Sequence, residues 1–172
     1  SAALITTLAA NARAEHARAV AEARFEETRS IANAMLFDVF DEVSMIAGST
    51  NAREMLARTS LSYLEALAAD PNAPLDVRIE AGLGFLRLSQ VVGGGQAGEL
   101  GRYEDANALL TQSEQIIAPL YAEHPENQSV ARAMATLLLE QSGAALYNNN
   151  DTETARATAI RAREILTPHA TS

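Results

Sequence analysis

The chain has 172 residues, a formal charge of −9 at neutral pH, no cysteine, and only four phenylalanines, four tyrosines and no tryptophan. That length fits one domain with a true core or several stacked helix pairs. The missing cysteines exclude disulfides, thiolate zinc sites and a cysteine nucleophile, and the acidic balance opposes nucleic acid, which needs clustered cations to displace counterions.

All thirteen basic residues are arginine. Nearly half the residues are apolar, and alanine dominates them. An interior poor in large side chains is best built from closely approaching helices, so the composition predicts an all-α fold. Residues 2–10 are apolar but far shorter than the roughly 20 residues of a membrane span, so any membrane attachment is expected through a segment outside this chain.

The elements follow in order. From Asn11 to Ala47 there is neither proline nor glycine, and Ala14, Ala17, Ala21, Phe25, Ala32, Met35, Val39 and Val43 recur at helical spacing. Arg13, Glu15, Arg18, Glu22, Arg24, Glu26, Glu27 and Arg29 surround this stripe. They include an attractive Arg18–Glu22 and a repulsive Glu22–Glu26 pair one turn apart, and they read as a solvated face. The alanine stripe buries little area by itself, so residues 1–29 are expected to be a connector or a weak coiled coil. After Ile31 the stripe becomes richly apolar, and the packed domain is expected over residues 30–168, with a tail at 169–172.

Gly48 ends this helix, and Ser49 or Thr50 caps the next, Asn51–Ala69, which Asp70-Pro71 closes. A third helix restarts at Pro74 and Asp76 and runs through Val91. Gly82 and Gly84 inside it would each cost about 1 kcal/mol relative to alanine, which predicts close backbone packing there. A fourth helix spans Tyr103–Glu123, a fifth Gln128–Tyr147 and a sixth Thr152–Leu166, separated by His124-Pro125-Glu126-Asn127 and by the turn formers Asn148–Asp151.

Superimposing the second hairpin on the third pairs Leu88-Ser89 with Ser142-Gly143, Gly101 with Asn150, Ala106 with Ala155, Leu110 with Ala159 and Ser113 with Ala162. These coincident small residues resemble the tetratricopeptide repeat, in which a proline follows the second helix; Pro119 and Pro168 occupy that place. Ser89 and Asn150 stand where that motif prefers glycine. The resemblance implies about three helix pairs in a right-handed solenoid, preceded by a long N-terminal helix.

A narrower resemblance covers residues 23–70. Arg24-Phe25 with Arg29, Leu36-Phe37, Gly48-Ser49-Thr50 with Ala52-Arg53, and Tyr63-Leu64 resemble the region after the kinase domain and membrane helix in a group of bacterial transmembrane serine/threonine protein kinases. That resemblance implies a sensor region on the extracytoplasmic side of the membrane, with a cytoplasmic location as the alternative. The chain has none of the kinase's own motifs, so it is not expected to catalyse phosphoryl transfer.

Other chemistry has little to stand on. The Gly93–Gly101 loop lacks the lysine and hydroxyl of a phosphate loop and joins two helices. His16, His124 and His169 are scattered, and Asp38, Asp41 and Glu42 read as a solvated helix face. Glu80, Glu104 and Glu140 offer carboxylates with no spacing that pairs them. No catalytic, cofactor-binding or metal residue is assigned.

A repeat array presents a concave face along the first helix of each pair. The candidate partner-binding residues are Arg87, Gln90, Glu140, Gln141, Tyr147 and Asn148, for a peptide or protein partner. Leu83, Leu86, Leu137 and Ala144 fall on the same face, and core burial is the competing reading for the leucines. Two further expectations stay open: a homodimer scaffold through the N-terminal helix, and a small-molecule or nucleotide binder using the Gly93–Gly101 loop.

Overall fold

The computed structural model describes residues 2–34, 50–70, 72–93 and 102–169. These form α1 (Ala2–Asn33), α2 (Thr50–Ala68), α3 (Leu75–Gly93), α4 (Tyr103–Glu123), α5 (Gln128–Asn149) and α6 (Thr152–Leu166), with a 3-10 turn at Thr167–His169. There is no strand among the described residues, and the all-α expectation holds. The expected helical run through Ala47 lies partly outside the described residues, as do Asp38, Asp41, Glu42 and most of the Gly93–Gly101 loop.

Local chemistry explains the helix ends. Asn127 caps α5, its side-chain oxygen accepting from the Ser129 and Val130 amides at 3.0 and 3.2 Å. Asn150 closes the same helix in the left-handed conformation, φ 52°, which asparagine tolerates better than most residues. Asp151 then caps α6 by accepting from the Thr154 amide at 3.0 Å. The Thr154 side chain, and then its amide and that of Glu153, hold the Asp151 carboxyl below its ordinary value. The proline comparison needs one correction: α6 stops before Pro168, but Pro119 lies inside α4, which continues for another turn to Glu123.

Helix α3 is the centre of the packing. It lies antiparallel to α4, with Ser113 Oγ donating to the Gly82 carbonyl at 2.7 Å near one end and Gly93 against Ala106 at the other. It also packs on α2 and, more lightly, on α5, while α5 pairs closely with α6 and packs on α4. One apolar cluster, including Leu86, Ile117, Met134, Leu137, Ala162 and Ile165, joins α3 to α6. A second, including Leu64, Phe85, Leu88, Val91 and Leu109, joins α2, α3 and α4, and a third gathers Leu67, Val77 and Ala81. Each fully buried leucine or isoleucine of this kind contributes about 1.5–3 kcal/mol.

The residues paired across the two hairpins share their burial. Ala106 and Ala155 are buried, Ser113 and Ala162 are buried, and Leu110 and Ala159 are half-buried. Hydroxyls seal the crossings: Ser113 reaches Gly82, and Ser142 Oγ donates to the Ala155 carbonyl at 2.7 Å.

The glycines differ sharply in what surrounds them. A Cβ on Gly82 would lie 2.5 Å from Ile117 Cγ1, one on Gly84 would meet Leu64, and one on Gly93 would meet the Ala106 methyl, which cannot rotate away. Beside Gly143 there is nothing within 4 Å. Gly93→Ala should therefore destabilise the chain by about 1–3 kcal/mol through overpacking, whereas Gly143→Ala should stabilise it by about 0.5–1 kcal/mol through helix propensity. Urea denaturation followed by circular dichroism reads both, and equal effects would refute the assignment of close contact at Gly93 alone.

Candidate functional site

Two polar arrangements stand out, one between α3 and α5 and the other where α1 meets the body. In the first, Arg87 Nη1 donates to Gln90 Oε1 at 3.2 Å, and Gln90 Nε2 donates to Glu140 Oε1 at 2.5 Å. All three side chains are half-buried. Gln141, half-buried beside Glu140, donates to Glu114 Oε2 of α4 at 2.9 Å. The expected set thus divides. Arg87, Gln90 and Glu140 form one row across two helices, and Gln141 turns toward α4.

Tyr147 is 84% exposed at the end of the same helix. Asn148 lies in α5, and its side chain is outside the described residues. Leu86 and Leu137 are in the core, and Leu83 packs against it, so core burial accounts for these leucines. Leu139 and Leu146, 52% and 39% exposed, flank Gly143 on the outer side of α5. With Tyr147 they make the last turns of that helix apolar toward solvent. The two-turn spacing from Leu139 to Leu146 and Tyr147 is readable in the sequence, but a buried stripe and an exposed one look alike there.

The second arrangement was not anticipated. Arg29, read from its neighbours as part of a solvated face, is largely covered. Its Nε donates to Glu80 Oε2, and its Nη1 donates to Asp76 Oδ2 at 3.0 Å and Glu26 Oε1 at 3.3 Å. Glu80 Oε1 also accepts from Asn33 Nδ2 at 2.9 Å and Tyr63 OH at 3.4 Å. Helices α1, α2 and α3 therefore meet on one carboxylate. A signal was present: Arg29 is the last charge before the apolar stripe begins, and Asp76 and Glu80 are one turn apart in α3.

Charge explains the titration here. Burial works against the Arg29 cation, but the hydrogen bonds and charges of Glu80 and Asp76 outweigh it and raise its pKa further above the ordinary arginine value. Burial, then the Glu80 charge and hydrogen bond, push the Tyr63 phenol up to about 12. No group of three or more histidines or carboxylates among the described residues has the arrangement to hold a metal ion.

No family model, curated protein or solved structure matches the chain. No described helix is long and apolar enough to cross a membrane.

The Tyr63 environment predicts an alkaline dependence. The folded phenol keeps its proton to about 12, while an unfolded one loses it near 10.0. Its contribution to stability is therefore whole below the lower value and is lost as pH rises through the upper one. Melting temperatures measured across this range should fall more steeply for the native sequence than for Tyr63→Phe. Parallel curves would show that Tyr63 titrates as if free.

Proposed function

We propose that this chain is a non-catalytic, tetratricopeptide-like repeat domain of a bacterial membrane serine/threonine kinase, which takes a peptide or protein partner on the face formed by α3 and α5. What supports this most is the stacking of α3 on α5, with equivalent small residues at both hairpin crossings. Stacked pairs of this kind leave a continuous face along their first helices. The row Arg87, Gln90 and Glu140 would hold the partner's backbone or charged groups, and Tyr147 would cover its apolar side chains. On the kinase resemblance the domain would lie outside the cytoplasm, with a cytoplasmic location as the alternative, and the parent protein's membrane helix and catalytic domain would lie beyond this chain.

Peptides selected from a displayed random library against the whole chain provide the test. Their binding should fall about tenfold or more on Tyr147→Ala, the usual scale for an aromatic anchor, and should not change on Arg156→Ala, an exposed position of α6. Peptides indifferent to Tyr147, or turnover of ATP by the purified chain, would sink the proposal.

A second reading has its own observation. Every residue from Asn11 to Thr28 is exposed, and a helix without a packed face draws little support from the rest of the fold. Pairing of α1 with its copy would supply that face. Sedimentation equilibrium should then show a dimer that Ala17→Glu with Ala21→Glu converts to monomer. A native chain that sediments as a monomer rules this reading out.

A further inference from the structure

We propose that the Arg29–Glu80 contact, flanked by Asp76, Asn33 and Tyr63, is a latch that sets the direction in which α1 leaves the helical body, so that breaking it frees α1 while the body stays folded. This inference stands apart from what the α3–α5 face binds.

Three observations carry it. Along α1, exposure is continuous from Asn11 to Thr28 and falls only at Arg29, Ala32 and Asn33. The described apolar clusters draw on α2 to α6 and the turn before α3, and none includes a residue of α1. The bonds that tie α1 to α3 are polar and converge on Glu80 and Asp76. Among the described residues the body therefore has its core without α1, and polar bonds hold α1 to it.

Such a contact has two workable states. The Arg29 and Glu80 side chains are 16% and 13% exposed when joined, and a buried charge that loses its partner without gaining water is heavily penalised. Here the covering element is α1 itself. When it swings away, both charges return to water and none of the described apolar clusters loses a member.

A long arm makes the latch consequential. From Ala2 to Arg29 the helix extends about 40 Å at the α-helical rise, so a small rotation at Arg29 moves the far end a long way. Alanine-rich sequence at this length retains its helix on release. Anything that binds the joined and released arrangements unequally shifts their populations.

The absence of cysteine makes the test direct. Exposed Ala14 and Ala157, changed to cysteine and spin-labelled, report the distance from α1 to α6 by double electron–electron resonance, with unlabelled chain in excess to suppress signals between copies. The native background should give one narrow distance peak. Arg29→Ala and Glu80→Ala should each lose it, while hydrogen exchange in α5 and α6 stays at native protection. Glu26→Ala, which removes only an exposed contact within α1, should keep the peak. The proposal is overturned if the narrow peak survives in both Arg29→Ala and Glu80→Ala or is lost in Glu26→Ala. It is overturned equally if the native distribution is already broad, or if losing the peak brings loss of protection or failure to fold, since the contact would then hold the body together.

Discussion

Helix α3 packs closely on both α2 and α4 because it carries no side chain at the points of closest approach. Gly82 admits Ile117, Gly84 admits Leu64 and Gly93 admits Ala106. Each glycine sacrifices helix propensity of about 1 kcal/mol, and each lets a neighbour come close enough for its larger side chains to be buried completely. Leu64 and Ile117 are among the most buried side chains in the molecule. In a chain with so few aromatics, this exchange of side-chain bulk for proximity is how the core reaches native density.

The same constraint separates core from candidate site. Once α3 and α5 lie close, their facing leucines are consumed by packing, and only the positions at the edge of the contact remain polar and half-open. Arg87, Gln90 and Glu140 occupy that edge and satisfy one another. A row already hydrogen-bonded within itself can exchange those bonds for a partner's at little net change. Tyr147 offers exposed apolar surface two turns along α5 from Glu140, whereas Leu139 and Leu146 lie on the outer side of that helix.

The helices were legible because their ends are written locally. The α5 and α6 boundaries follow from turn formers and capping residues within a few positions, and the close approach at Gly82 and Gly84 follows from the cost of glycine in a helix. The α3–α5 row was half legible. The repeat comparison put its members on one face, but the Gln90–Glu140 bond joins residues 50 positions apart, which no local pattern specifies. The Arg29 junction was legible only as the point where the charges stop, not as a contact. A charge surrounded in sequence by charges reads as solvated, and only the docking of α1 against the N-terminal turns of α3 covers it.

That junction also shows how the chain divides its labour between forces of different kinds. Apolar burial is large, non-directional and spread over α2 to α6, so no single polar substitution in α1 is placed to undo it. The ion-pair contact is small, directional and confined to one point. A force of the first kind fixes a fold, and a force of the second kind fixes an orientation and can be outweighed by anything that binds one arrangement better than the other. A joint made from the core would move only when the core came apart, whereas a joint made from one ion-pair contact can open with the core intact.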